Sequence, residues 1–330
     1  MPLLSIIIPT FNRAPLLSLT IENIVNQCKC IHDYGLVELI ISDNASTDNT
    51  EEVVKNLSNS LGWEIFYFRN IENIDDLNFI QSCEKARGEF IWLFADDDLL
   101  EDYALERVVK NLNSDTDLYI CNYSIWDDSL QRKLKEFRYS YISDLHLRDR
   151  DEVLTKFGIG LQFISANIFH RRLFEGLNFE RCLLLRHDNN MHLYMLYAGL
   201  NKHSKIEFFA KSYLRYRGNL LNPPAPEKWN RIFVLSNFKF LRLLSRENYS
   251  AYSRYIAADN IIKTYFISNL IASRLSGYDR FEILRNLPAS LFFYPRFIFI
   301  CLPLLLIPIQ LLTGLKVLYS RIKSGKNIYY

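Results

Sequence analysis

The chain has 330 residues, 49% of them hydrophobic and 14% aromatic, with 39 basic and 37 acidic side chains. That composition excludes a disordered chain and is long enough to bury one large or two smaller cores. A net charge of +2 argues against a nucleic-acid binder driven by overall charge. The Met1-Pro-Leu-Leu-Ser5 start has no basic n-region, so no signal peptide is expected. The six scattered cysteines lack zinc-finger spacing and read as reduced thiols of a cytoplasmic protein.

In chain order, Leu4 to Ile8 predicts a strand that ends in the polar turn Pro9-Thr10-Phe11-Asn12-Arg13. Pro15 suits the first turn of a helix carrying Leu17, Ile21, Ile24 and Val25 on one face. Val37 to Ile41 predicts a second buried strand, followed by Ser42-Asp43-Asn44-Ala45-Ser46-Thr47-Asp48. Asp48 and Glu51 have capping-box spacing for the helix of Val53, Val54 and Leu57. A third strand is expected at Ile65 to Phe68 and a helix at about Asp75 to Ala86. A fourth strand is expected at Phe90 to Phe94, and a helix carries Leu105, Val108, Val109 and Leu112. Leu118 to Cys121 continues the sheet. Alternating strands and helices predict βαβ units and a mostly parallel sheet.

The fourth strand stops at Asp96, Asp97 and Asp98. Three successive carboxylates at a strand end repel one another, and burying them unpaired is costly. They either cap the next helix or meet a cation, and hard oxygen ligands suit Mg²⁺ or Mn²⁺. The first glycine of the chain is Gly35, so the first strand-to-helix turn carries neither the GxGxxG fingerprint nor the GxxxxGK[ST] phosphate loop. A dehydrogenase and a P-loop ATPase are thereby disfavoured. Polar side chains at three strand ends instead suit a nucleotide held by an aromatic ring, an acid and a metal.

The series SIIIPTFNR, VELIISDNASTDNTEE and GEFIWLFADDDLL resembles the family 2 glycosyltransferases, strongly over residues 3 to 110 and weakly to about 217. The set with ISDNASTD and RNxxN is most similar to bacterial O-antigen and capsule members, including abequosyl- and rhamnosyltransferase-like enzymes. The resemblance implies a GT-A fold over residues 1–221, with a nucleotide-binding half at about 1–125 and an acceptor half at about 126–221. It implies transfer of a sugar, possibly a deoxyhexose, from a nucleotide diphosphate donor to an acceptor hydroxyl, by inverting displacement with a divalent metal, Mn²⁺ or Mg²⁺.

Residue by residue, Pro9, Thr10, Phe11 and Asn12 match the family's nucleobase turn, with Phe11 the stacking ring. Asp43 matches the second acid of its DDxSxD segment, where Ser42 replaces the first. Asp97 and Asp98 match the last acids of DxDD and are expected at the metal, while Ala95 stands at the first position and Asp96 is able to substitute. Asn78 matches the asparagine of an RN pair whose arginine is here Leu77; Arg69, Arg87 or Arg217 could compensate at the diphosphate. His187-Asp188 stands where the family has Glu-Asp, which makes Asp188 the expected general base and His187 its neighbour or an acceptor contact. A helix N-cap is the plain alternative for Asp188. The altered Ser42, Leu77 and Ala95 leave open a non-catalytic sugar-nucleotide-binding relative, and a nucleotidyltransferase ranks third.

Asn222-Pro223-Pro224-Ala225-Pro226 reads as a linker into a helical region, 222–330. Within it, Phe297 to Leu315 has no charged residue, two prolines, and basic flanks at Arg296, Lys316, Arg321, Lys323 and Lys326. That pattern predicts an in-plane or re-entrant anchor over about 291–315, at the cytoplasmic face of the inner membrane. A buried core helix is the alternative. An anchor suits a glycan acceptor on a polyprenyl carrier, as in the members it resembles.

Overall fold

The computed structural model describes residues 1–31, 35–218, 235–277, 280–285, 287 and 289–314. Strands β1 (Leu4–Thr10), β2 (Val37–Asp43), β3 (Ile65–Arg69) and β4 (Phe90–Leu93) alternate with helices α1 (Ala14–Cys28), α2 (Thr50–Leu61) and α3 (Leu77–Cys83). They pair in parallel in the order β3-β2-β1-β4, the register setting Ile7 between Ile40 and Leu93. Parallel strands buried on both faces read as continuous apolar runs, which is why Leu4 to Ile8 and Phe90 to Phe94 are so apolar.

Period-two alternation then divides the core. Ile6, Ile8, Leu39, Ile41, Phe90 and Trp92 face a layer built from α1, α2 and α4 (Ala104–Asn111). Ile7, Ile40, Ile91 and Leu93 face the opposite layer, built from α3, α5 (Arg150–Phe157) and α8 (Met191–Gly199), with the short helices α6 (Arg172–Glu175) and α7 (Phe179–Leu183) between the last two in sequence. Gly88 marks where the chain enters β4. A Cβ there would stand 2.7 Å from the Ser5 nitrogen, so only glycine allows β4 this close to β1.

Beyond β4 the sheet changes character. The order continues through β9 (Asn167–His170), β6 (Leu118–Trp126), β10 (Ile206–Arg217) and β5 (Leu99–Leu100). β9 runs antiparallel to both β4 and β6, whereas β6 and β10 are parallel. The parallel expectation thus holds for the first four strands, and the second half is mixed. Short strands β7 (Lys133–Lys135) and β8 (Leu145–Leu147) add to β6 and β10.

The predicted capping box is replaced by a different device. Asp48 Oδ1 accepts from the Thr50 amide (3.1 Å) and hydroxyl, and its Oδ2 accepts from the Ala14 amide at 3.1 Å. One carboxylate therefore caps the starts of both α1 and α2, where free amides attract an anion.

The linker around Pro224 and the basic residues from Lys316 onward lie outside the described residues. Helices at Ser236–Leu244 and Ala251–Ile261 pack on α5 and α8 in the same core, and a π-helical turn at Ile262–Phe266 leads into a helix at Ile267–Leu275. The apolar stretch is broken into short pieces, among them Phe297–Cys301 and Leu302–Leu306. Among the described residues no helix is long and apolar enough to cross a membrane. Leu291, Phe297, Cys301 and Leu305 are buried against Ile262, Phe266 and Leu270, whereas Phe292, Phe293, Phe299 and Leu311 are exposed. Arg296, expected to meet lipid phosphates, is instead held by both carboxylate oxygens of Asp259, at 2.9 and 3.0 Å.

Candidate active site

The carboxyl ends of β1, β2 and β4 open into one cavity of about 390 Å³, in the position where open α/β sheets bind ligands. Pro9, Thr10, Phe11, Arg13, Ala95 and Asp96 line it from β1 and β4. Asn44, Asn73, Asp75, Asp76, Asn78 and Phe79 close the side of β2 and α3, and Ile164 and Asn189 reach in from the chain beyond β6. Phe11 is 40% exposed, a ring free to stack on a planar ligand.

The acid triplet is not three equivalent ligands. Asp96 accepts from the Thr10 hydroxyl at 2.8 Å and from Arg13 Nη1 at 2.6 Å, while Arg13 Nη2 donates to Asp97 at 2.9 Å. Asp98 turns inward, fully buried, and accepts from the Ser165 hydroxyl at 2.6 Å. Burial, and then the charge of Asp97, push the Asp98 carboxyl well above the usual carboxylate range. Burial likewise raises Asp96, against the opposing pull of Arg13 and Thr10.

The loop carrying these acids is pinned from several sides. Ser165 also accepts from the Ala95 amide at 2.9 Å, and its carbonyl accepts from the Trp92 indole at 2.7 Å. The Thr20 hydroxyl lies 3.1 and 3.0 Å from the Asp96 and Asp98 carbonyls. Arg217, expected at the diphosphate, donates from Nε to the Asp97 carbonyl at 3.1 Å and from Nη1 to the Asp128 carbonyl. It braces the loop instead of lining the cavity.

The remaining sequence-derived residues divide the same way. Asn12 has φ 53° and accepts from the Thr47 amide at 2.7 Å, which staples the first turn to the loop after β2. Asp43 is buried and accepts from the Ser46 amide (2.9 Å) and the Tyr67 hydroxyl (2.5 Å). Asn78 lines the cavity, but its amide is engaged by Ser42 and Asn70. Of the compensating arginines, Arg69 bonds the Ser46 carbonyl at 2.8 Å, and Arg87 is paired with Glu38 outside the cavity.

His187 and Asn189 both hold positive φ, 66° and 53°, on either side of Asp188. Non-glycine residues in that region are uncommon and cost energy, and they collect at functional loops. His187 Nδ1 pairs with Asp75 at 3.1 Å. Asp188 itself is not among the residues that line the cavity; it receives Lys239 Nζ at 2.7 Å and the Ser236 hydroxyl at 3.1 Å. The sequence reading missed Arg13 as the cation between two acids, and Ser165, Asp75 and Asp76. Arg13 carried a signal, since it directly follows the nucleobase turn.

A buried histidine sits behind the wall. His192 Nε2 donates to the Gln162 carbonyl at 2.8 Å, its Nδ1 has no partner among the described residues, and its ring lies 5.3 Å from Phe79. Burial lowers it to about 4, so it is neutral when folded and protonates more readily when unfolded. Its contribution is complete above pH 6.5 and is lost as the pH falls towards 4, up to about 3 kcal/mol. Melting temperature is therefore expected to drop over that window, and His192→Gln to flatten the slope. An unchanged slope would show that His192 does not govern it.

Among the described residues no three His, Cys, Asp or Glu side chains are arranged to hold a metal ion by themselves. The donor set still fits Mg²⁺ or Mn²⁺, which commonly take one or two carboxylates and complete their shell with water and phosphate oxygens. Asp96 and Asp97 already converge on one cationic group, the Arg13 guanidinium.

Comparison with known proteins agrees with this geometry. The sequence model described as Glycosyl transferase family 2 matches residues 5–176. An abequosyltransferase, RfbV, of Salmonella typhimurium is 40% identical over 121 residues, 36% of this chain and 35% of its own. A GalNAc(5)-diNAcBac-PP-undecaprenol beta-1,3-glucosyltransferase of Campylobacter jejuni is 38% identical over 115 residues, 34% and 35% of the two chains. The match spans about a third of the length of each relative. In three dimensions, S. aureus TarS 1-349 in complex with UDP-GlcNAc superposes with a TM-score of 0.58 over 86% of this chain and 84% of its own, at 15% identity. That likeness fixes the fold as GT-A. With the family match extending over more than half of its residues, the chain belongs to the family 2 glycosyltransferases.

Proposed function

We propose that the protein transfers a sugar from a nucleoside diphosphate donor to a hydroxyl of a lipid-linked glycan, in the assembly of an O-antigen or capsular polysaccharide. The observation that carries this is the cavity at three parallel strand ends, with an open aromatic ring at Phe11 and paired acids at Asp96 and Asp97. The base stacks on Phe11, and the turn Pro9–Asn12 shapes its seat. Asp43, the cross-strand partner of Thr10, positions the loop around the base. Asp97 and Asp96 would hold a divalent ion, while Asp98 and Asn78 keep the walls in place.

When bound, the ion neutralises charge on the leaving diphosphate. Arg13 holds the two acids together until then and is placed to meet a phosphate once released from them. Asp188, next in the chain to the cavity-lining Asn189, is the acid that would exchange Lys239 and Ser236 for the acceptor hydroxyl and take its proton, giving inversion by direct displacement. His187, tied to Asp75, sets the turn of that loop.

The lipid-linked acceptor and a peripheral seat on a membrane are supported by two observations; the cytoplasmic face is where this reading places that seat. The related Campylobacter enzyme is named for an undecaprenol-linked glycan, and Phe292, Phe293 and Phe299, close in sequence near the end of the described residues, are exposed. Aromatic side chains of this kind seat at a lipid interface.

Calorimetry with UDP, GDP, CDP and dTDP, with Mn²⁺ and then with chelator, tests the reading. Metal-dependent binding of one nucleotide is the expected result. Failure of all four with folded protein would refute it.

A further inference from the structure

Asp76 is 4% exposed and lines the cavity, and its two carboxylate oxygens have different fates. Oδ1 accepts the His187 amide at 3.1 Å, which joins the start of α3 to the acceptor-half loop. Oδ2 is buried with no hydrogen-bond partner among the described residues. A buried acceptor left unpaired costs about 1–3 kcal/mol, more for a charged one, and native structures rarely carry one without a use.

The neighbouring polar groups do not share this condition. Asn44 Oδ1 accepts from the Ile74 amide and Asn70, and Asn73 Oδ1 accepts from Asn44 and the Asp75 amide. Asn78 is bonded to Ser42 and Asn70. Asp76 Oδ2 is thus an unpaired acceptor on this wall, beside the loop of Asn189, where an occupant of the cavity with a donor could meet it.

Each part of a nucleoside diphosphate sugar responds differently to such a group. A diphosphate has no donor and is repelled by a carboxylate, so it lies toward Arg13. The base lies toward Phe11. Asp76 stands where the two halves of the domain touch, which is where the reacting sugar must meet its acceptor. We infer that Asp76 Oδ2 accepts a hydrogen bond from a hydroxyl of the transferred sugar and so helps choose the donor. Burial, the largest influence on Asp76, raises its carboxyl above the usual range, in keeping with a group that awaits a donor.

This inference rests on the glycosyltransferase reading of the cavity, and calorimetry separates the two. Asp76→Asn keeps an oxygen for the His187 amide and replaces the spare acceptor with an amide donor. Its affinity for the matching nucleoside diphosphate should stay within about twofold of wild type, while that for the complete nucleotide sugar falls about tenfold or more. Equal losses for both ligands would assign Asp76 to the ribose or to the scaffold and overturn the inference, as would no loss for either. If the variant does not fold, wild-type protein is titrated with donors lacking one sugar hydroxyl at a time. One analogue should weaken by about tenfold; equal binding of all of them would overturn the inference. A wild-type protein that binds no nucleoside diphosphate would overturn the underlying reading with it.

Discussion

Replacing Asp97 with Asn should lower kcat/KM for sugar transfer by about 10²–10³-fold, the usual loss when one preorganised electrostatic partner of a developing charge is removed. The fold should survive. Asp97 is partly exposed and, among the described residues, its only side-chain bond is the outer arm of Arg13, 2.9 Å away; surface pairs of this kind contribute about 1 kcal/mol or less. Nucleotide affinity in Mn²⁺ should fall to the value seen in chelator, while affinity in chelator stays the same. Transfer measured by released nucleoside diphosphate, alongside a melting curve, checks both parts. Full metal-dependent binding in the variant would remove Asp97 from the metal assignment.

The second large effect is expected at Asp188. Asp188→Asn should reduce transfer by about 10²–10⁴-fold, the range for loss of a general base, and leave donor affinity unchanged because the side chain lies outside the cavity. The contacts in hand also suit a plain anchor, since Asp188 receives Lys239 and Ser236 from the helix Ser236–Leu244. Lys239→Met separates the two roles. An anchor would make both variants melt early and transfer at the normal rate. A base would make only Asp188→Asn inactive. Activity in both variants would pass the role of base to another acid of the cavity wall.

Local chemistry made much of this legible in the sequence. Apolar runs such as Phe90 to Phe94 mark strands buried on both faces, and the carboxylates at their ends have to lie where water or a cation reaches them. Pairing across long separations left no such mark. Nothing between Leu118 and His170 announces that β9 slots antiparallel between β4 and β6, because that placement is decided by what the faces pack against. The same holds within the site. Asp98 reads like Asp97 in the sequence, yet a hydroxyl 67 residues away, at Ser165, turns it inward. Arg13 lies 83 positions from Asp96, and only the folded sheet shows that its guanidinium bridges two acids. Asp48 had the spacing of a capping box and was drawn to two helices at once, because β1 and β2 end side by side.

Phe240, Leu244, Tyr249 and Ile261 are buried in one core with Leu193 and Tyr197 of α8. Arg150, on α5, ties the two stretches further through the Leu200 and Asn248 carbonyls, at 3.0 and 3.1 Å. Helices interlocked in this way are not an exchangeable cassette. A hybrid that joins the first 218 residues to the corresponding helices of a relative would inherit mismatched knobs and holes along α8, and Asp188 would lose the side chains that now hold it. Lineages that recombine segments of this fold would therefore have to carry α5, α8 and the helices after position 235 together, as one unit of inheritance.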